Sequence, residues 1–237
     1  MSTGKLIVID GGDGSGKATQ AELLISALKK RNVAVHYIDF PRYNTFFGAL
    51  VGRYLKGEFG PIESISPYLI SLAYAADRGG LAAQITTWLS DGDWIISNRY
   101  TSANFAHQGA KFASKIERER YWAWLDKLEY GQHQLPREDL VIYLDVPPAI
   151  SQSLIADKSA RAYLGARTKD EAEKNLSHQI KTHANYHDLL RLHRHWRRID
   201  CVSIPLSSST EARSHTSLRT IGDIHTELVA LIDKEFS

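Results

Sequence analysis

The sequence predicts an α/β fold in which a central parallel sheet carries helices on both faces. Three observations support this fold class. Short apolar, β-branched runs alternate with stretches of helical periodicity, which is the pattern of a parallel sheet covered by helices. A glycine-rich segment follows the first apolar run and opens a helix. The composition is that of a folded domain, with 43% hydrophobic and 24% charged residues.

The strands are expected where the chain is apolar without interruption, since strands buried on both faces read as continuous runs. Five such runs occur, the last of them weaker, at residues 6–9, 33–40, 94–96, 140–144 and 201–204. Helical spacing of apolar residues predicts helices over residues 21–28, 68–89 and 221–232, the second of them long. Ligands of such sheets bind beyond the carboxyl ends of the strands, so residues directly after each run are the candidates for function.

Charge and composition exclude several classes of protein. The chain has 29 Lys and Arg against 27 Asp and Glu, a net charge of +2, which gives no overall attraction to nucleic acid. No apolar stretch approaches the ~20 residues that a membrane helix needs. Cys201 is the sole cysteine, so a disulfide within the chain is excluded and a cytoplasmic location is expected. No linker divides the 237 residues, which predicts one domain.

The glycine-rich segment has the spacing of a phosphate-binding loop. Gly11 follows a predicted buried strand, and Gly16-Lys17 come after four intervening residues. Glycines allow the backbone N–H groups to converge on an anion, the following helix adds its positive dipole end, and the lysine reaches the outer phosphates. The predicted nucleotide-binding residues are Gly11, Gly12, Asp13, Gly14, Ser15, Gly16, Lys17, Ala18 and Thr19.

One position of this loop departs from the pattern. The residue after the lysine usually carries a hydroxyl that binds Mg²⁺, and here it is Ala18. Thr19 does not simply replace that hydroxyl, because one residue along a helix rotates the side chain by about 100°. Phosphate binding is still expected, but no metal ligand is assigned.

Four segments together resemble thymidylate kinases. They are residues 11–20, 40–43, 98–100 and 135–146, in order and at comparable spacing over most of residues 4–190. The resemblance implies a three-layer P-loop fold with about five parallel strands and a helical lid at about 155–174, in one nucleotide kinase domain over residues 1–237. It further implies transfer of the γ-phosphoryl group of ATP to dTMP, giving ADP and dTDP, with Mg²⁺ and as a homodimer.

The resemblance also implies the site residues. Tyr74 and Arg78 are four apart on a predicted helix, so they share a face where a ring stacks on a base and a guanidinium bonds its carbonyl. From spacing alone, a core tyrosine beside a surface arginine is the favoured interpretation. The residues implied for the acceptor are Asp13, Phe40, Pro41, Arg42, Tyr43, Tyr74, Arg78, Arg99, Asn104 and Gln108. Those implied for catalysis are Lys17, Arg99, Asp13 and, in the lid, Arg161 and Arg167.

Asn98 is a second departure, because the family usually has aspartate there to organise Mg²⁺. Two alternatives stay open. One is a kinase for another deoxynucleotide or a deoxynucleoside. The other, suggested by Ala18 and Asn98, is a nucleotide-binding module with impaired catalysis.

Two further patterns are given no function. His183 and His187 have metal-ligand spacing, but no acidic or cysteine ligand accompanies them in the sequence, so a solvated helix face is expected. The arginines of residues 191–198 are interpreted as a surface helix end, and no nucleic-acid partner and no membrane partner is expected.

Overall fold

The computed structural model describes residues 4–151, 176–203 and 217–236. Its main sheet has five strands: β1 Lys5–Gly11, β2 Val35–Asp39, β3 Trp94–Asn98, β4 Leu140–Asp145 and β5 Trp196–Asp200. All pairs are parallel and the spatial order is β2-β3-β1-β4-β5. The predicted parallel sheet of about five strands is confirmed, and β1 lies at its centre.

Helices cover both faces of this sheet. They are α1 Lys17–Lys30, α2 Phe46–Leu55, α3 Pro67–Gly79, α4 Ala82–Ser90, α5 Thr101–Gly109, α6 Lys115–Asp126, α7 Leu176–Leu192 and α8 Ile221–Phe236. Shorter elements are a 3₁₀ turn at Ile62–Ser64, a π-helical turn at Lys127–Gln132 and a ribbon of β6 Val202–Ser203 with β7 Ser217–Leu218. No helix of the described ranges is long and apolar enough to cross a membrane.

The apolar runs form strands because each strand is buried from both sides. Successive side chains of a strand point to opposite faces. Ile7 and Ile9 of β1 belong to the core cluster that α1 and α8 cover. Leu6 and Val8 belong to the opposite cluster, which α4, α5, α6 and α7 cover. All four side chains have no exposed surface, so a continuous apolar run is required there.

The prediction of one long helix over residues 68–89 is wrong. Two helices, α3 and α4, occupy this stretch, and the chain leaves helical geometry between Gly79 and Leu81. Glycine is a poor helix former, and two occur in succession here. Packing requires the first of them: a Cβ on Gly79 would lie 2.3 Å from Nδ1 of His133. The two helices also have different partners, because α4 packs on β3 of the sheet whereas α3 packs mainly on α2 and α5.

The position of the fifth strand is also corrected. It was expected at residues 201–204, but β5 occupies Trp196–Asp200, while Val202 and Ser203 form the small ribbon. This strand pairs only with β4, so it is an edge strand of the sheet. Trp196 and Ile199 are its buried residues, and charged residues on an edge strand prevent pairing with another chain. Because β5 is not a continuous apolar run, the apolar pattern of the sequence did not predict it.

A buried carboxylate joins three elements at the carboxyl edge of the sheet. Asp10 has no exposed surface. It accepts hydrogen bonds from the backbone N–H of Gly11 at 2.8 Å, from the Ser102 hydroxyl at 2.6 Å and from the Tyr186 hydroxyl at 2.8 Å. Breaking a satisfied buried network of this kind leaves several polar groups unpaired. Asp10 therefore fixes the start of the glycine-rich loop relative to α5 and α7.

Candidate active site

The glycine-rich loop lies between β1 and α1, at the carboxyl edge of the sheet. Gly16 precedes α1 with a φ of 88°, a conformation that a side chain disfavours. Gly11 passes so close to β4 that a Cβ would lie 2.7 Å from the carbonyl oxygen of Leu144. The first turn of α1, with its unpaired N–H groups and positive dipole end, therefore opens onto the loop.

Lys17 is held inside this loop. Its side chain is 8% exposed, and Nζ donates to the carbonyl oxygens of Gly11 at 3.1 Å and Gly12 at 2.8 Å. Burial, followed by the charge of Arg99, lowers the pKa of Lys17 to about 8. Asp13, Asp10 and Asp39 oppose this lowering by their negative charge, but burial outweighs them.

Arg99 and Asp13 form an ion pair directly beside the loop. Arg99 has a φ of 63°, which is uncommon for a residue with a side chain and occurs where function requires it. Burial by itself raises the pKa of Asp13, but the charges of Arg99 and Lys17 outweigh it and bring the pKa to about 2. His107 lies 3.2 Å from Arg99, and burial together with that guanidinium holds its pKa well below the usual value.

All the residues predicted to bind the acceptor, except Arg42, line one open cavity. One wall consists of α2 and α3, packed on each other around Val51, Tyr54 and Ile70. The cavity also includes Asp39, His107 and His178, which the sequence analysis did not single out.

Arg78 is presented to the cavity by a buried glutamate. Its Nε donates to Glu129 at 3.1 Å, Nη2 bonds the other carboxylate oxygen, and Nη1 donates to the Tyr100 carbonyl at 3.3 Å. Asn104 donates to the same carboxylate at 3.2 Å. Glu129 has no exposed surface and lies in the π-helical turn, a rare element that is frequent at functional sites. No sequence signal marked Glu129, because 51 residues separate it from Arg78.

The cavity also carries aromatic and amide groups. Tyr74 packs edge-to-face on Tyr54, with ring centroids 6.4 Å apart. Gln108 is 4% exposed and bonds the Tyr54 hydroxyl. Its Oε1 has no hydrogen-bond partner within the described ranges. A buried acceptor without a partner in a cavity is a place for a ligand's N–H group.

Arg42 lies apart from these residues. Its backbone N–H and its Nε donate to the Asp77 carboxylate at 2.8 and 3.2 Å, and Nη2 donates to the Asp77 carbonyl. Asp77 is 1% exposed. The structure therefore places the guanidinium against α3, where it fixes the segment that follows β2.

Comparison with known proteins identifies the family. The thymidylate kinase family model matches residues 9–205. A thymidylate kinase of Plasmodium falciparum is 31% identical over 232 residues, covering 98% of this chain and 90% of its own length.

The chain belongs to the thymidylate kinase family.

Further relatives agree with this membership. A thymidylate kinase of Schizosaccharomyces pombe is 28% identical over 98% of this chain and 93% of its own length. The solved thymidylate kinase structure from Candida albicans has a TM-score of 0.69 at 24% identity, covering 100% of this chain and 95% of that one. Membership confirms the expected enzyme class, a kinase that phosphorylates dTMP, and the structural likeness confirms the fold.

The chain differs from the family pattern at Ala18 and Asn98, the two positions where a metal ligand was expected. Asn98 is 9% exposed at the end of β3, and its Oδ1 has no hydrogen-bond partner in the part of the chain that the structure describes. Asp39 is the last residue of the neighbouring strand β2 and lies in register with Asn98. Its exposed carboxylate forms a hydrogen bond with the Asn98 side chain. A carboxylate is therefore present beside position 98, although the sequence around β2 gave no sign of it.

The lid predicted at 155–174, with Arg161 and Arg167, lies outside the described residues.

Lys17 predicts a pH dependence of ATP affinity. Because its pKa in the unliganded protein is about 8, the ammonium loses its proton as pH rises from 8 to 9.5. Affinity for a non-hydrolysable ATP analogue, measured by calorimetry, should therefore fall by up to about tenfold per pH unit. The Lys17→Arg variant keeps its charge and should show no such decline, whatever its absolute affinity. Parallel declines in both proteins would contradict the assignment.

Proposed function

We propose that this thymidylate kinase binds ATP on the glycine-rich loop and dTMP in the cavity, with the two phosphate groups meeting at Arg99. The acceptor phosphate oxygen attacks the γ-phosphorus in line, and ADP leaves. One observation carries the proposal: the acceptor cavity includes Asp13 of the loop and the Arg99 paired with it. A donor on the loop and an acceptor in the cavity are thus neighbours, and positioning supplies much of the catalysis in phosphoryl transfer.

The base is selected by fixed donors and acceptors. Arg78 uses three of its five N–H groups on Glu129 and Tyr100, which leaves donors for a ring carbonyl. Gln108 Oε1 accepts the ring N–H of thymine, and Tyr74 offers a face for stacking. A cytosine ring has no N–H at that position. The pairing of donors and acceptors therefore favours thymine and uracil.

The phosphate and the sugar lie toward the loop. Arg99 suits charge spread over phosphoryl oxygens, and its ion pair with Asp13 fixes its direction before substrate binds. Phe40, Pro41 and Tyr43 form the wall beside the sugar. When ATP binds, the Lys17 ammonium exchanges its hydrogen bonds to the loop carbonyls for bonds to the β- and γ-phosphates.

The oxygen donors at the end of β2 and β3 fit Mg²⁺, which prefers carboxylate, carbonyl and water oxygens. Asn98 Oδ1 and the Asp39 carboxylate are the residues that would hold it. When bound, Mg²⁺ neutralises charge that develops between the β- and γ-phosphates. Asp39 thus takes the part that aspartate at position 98 has in the family, and Ala18 contributes no ligand.

The remaining parts of the proposal rest on the resemblance. They are one kinase domain over the chain, a lid that brings Arg161 or Arg167 to the phosphates, and a homodimer. For the homodimer, exposed apolar side chains of α2 and α3 offer support: Phe46 is 83% exposed and Leu69 67%.

An ADP-release assay across a panel of acceptors tests this function. With ATP and Mg²⁺, dTMP should give the highest kcat/KM, dUMP a lower value by no more than the ~10–200-fold that one methyl group supplies, and dCMP and thymidine much lower ones. Preference for a nucleoside or another nucleotide would favour the alternative kinase. ATP binding without turnover of any acceptor would favour the non-catalytic module.

The Arg78–Glu129 pair separates base binding from folding. Arg78→Ala leaves a buried unpaired carboxylate and should cost about 3–5 kcal/mol of unfolding free energy. The double variant Arg78→Met/Glu129→Leu replaces the pair by apolar groups and should recover most of that stability in urea denaturation. Its affinity for dTMP should nevertheless fall at least tenfold while ATP affinity is unchanged. An equal loss of affinity for dTMP and for ATP would show that Arg78 does not contact the base.

The Mg²⁺ requirement tests the metal ligands. Asp39→Asn should raise the Mg²⁺ concentration for half-maximal rate severalfold, because it removes the carboxylate. Ala18→Ser with Asn98→Asp should lower that concentration by adding two usual ligands. Asp91→Asn, an exposed carboxylate in the turn after α4, is the matched control and should change nothing. An unchanged requirement in all variants would show that these positions do not contact the ion's coordination shell.

A further inference from the structure

A cluster of three potential metal ligands lies at the end of β4, apart from the phosphoryl-transfer residues. Asp145 is the last residue of β4, and His183 and His187 are one turn apart on α7. The sequence analysis set the histidines aside because no acidic ligand accompanied them. That expectation was wrong: the fold brings Asp145, 38 residues before His183, into contact with both.

The three side chains converge with the geometry of a metal site. Nε2 of His183 lies 2.8 Å from Oδ1 of Asp145, and Nε2 of His187 lies 3.1 Å from Oδ2. The three ligand atoms all lie within 4.8 Å of one another. Ligands of a tetrahedral zinc ion at bonds of about 2.0–2.1 Å are roughly 3.3 Å apart. The two carboxylate–imidazole distances are close to that value, and side-chain rotation on ion binding would close the remaining separation, which is at most 4.8 Å between ligand atoms.

The site is partly accessible. The side chains of His183 and His187 are 27% and 25% exposed, whereas Asp145 is 9% exposed and Nε2 of His187 is itself buried. The exposed parts of the two rings mark the side from which an ion would enter and water would complete its coordination.

We propose that Asp145, His183 and His187 bind a first-row divalent transition metal ion, with Zn²⁺ the best match. Two imidazole nitrogens and one carboxylate oxygen suit zinc, cobalt, nickel and copper, whereas Mg²⁺ prefers oxygen alone. This site is therefore chemically distinct from the Mg²⁺ position proposed beside Asn98.

The surrounding charges set the affinity. Arg198 Nε lies 3.6 Å from Asp145 Oδ2, and its positive charge opposes a cation. The same guanidinium also bonds Asp200 at 2.7 Å, so a second carboxylate offsets it. Arg191 adds positive charge near His187, while Tyr143 presents an aromatic ring to both histidines. Binding is thus expected to be weaker than in a structural zinc site with four protein ligands.

A metal ion at this site would connect two elements of the fold, since it would join the end of β4 to α7. His183 also lines a smaller cavity that contains Gly12 and Asp13 of the phosphate loop. An ion at this point would hold α7 against the sheet beside the loop.

Cobalt titration of the untagged, nucleotide-free protein tests the proposal. Co²⁺ should bind one equivalent per chain, with the visible absorption of a low-symmetry nitrogen and oxygen site, and Zn²⁺ should displace it while excess Mg²⁺ does not. Asp145→Asn and His187→Asn should each weaken Co²⁺ binding at least tenfold. His225→Asn, a histidine of α8 outside the cluster, should bind as the wild type does. No Co²⁺ spectrum at millimolar metal, or unchanged affinity in both ligand variants, would overturn the site.

A thermal measurement covers the case in which a ligand variant folds poorly. Zn²⁺ at about 100 times its Kd should raise the Tm of the wild type by roughly 5–10 °C. The double variant His183→Asn/His187→Asn retains Asp145 and should show no shift, whatever its Tm without metal. An equal shift in both proteins would place the zinc elsewhere and refute the proposal.

Discussion

Parallel pairing of β1 between β3 and β4 is the constraint on which the rest of this thymidylate kinase depends. Parallel strands all end at the same edge, so every segment that follows a strand starts there. The glycine-rich loop follows β1, the Arg99 segment follows β3 and Asp145 ends β4. Because β1 is buried on both faces, its register with its neighbours cannot slip without exposing one apolar set. The loop is therefore held in a fixed position relative to the residues that line the cavity.

The site that this edge assembles is rich in buried charge. Asp13 with Arg99 and Arg78 with Glu129 are ion pairs whose members are mostly removed from water. Such pairs gain little stability over apolar packing, because desolvation offsets the attraction. What they provide is direction, because each guanidinium is held in place by its carboxylate. In the proposed function this orientation precedes substrate binding, which spares the cost of ordering the group during the reaction.

Two carboxylates of this chain lie beside candidate metal ligands but at sequence positions that a position-by-position comparison with the family would not examine. Asn98 lacks the usual charge, but Asp39 supplies a carboxylate from the adjacent strand. Asp145 likewise completes a group with two histidines of α7 that are remote from it in sequence. In both cases the ligand set is a property of neighbouring strands and helices. Substitution at one position is thus compatible with a retained ion.

Local patterns are enough to predict the parallel sheet, the glycine-rich loop and the family, because apolar runs, glycine spacing and short motifs are visible along the chain. The end of α3, the residues of the polar edge strand β5, and the pairing of Arg42 with Asp77 and of Arg78 with Glu129 become visible in the folded chain alone. The partners of a buried charge lie tens of residues away, and no local pattern encodes them. Long-range packing chooses those partners, since a buried charge must find one wherever the fold provides it.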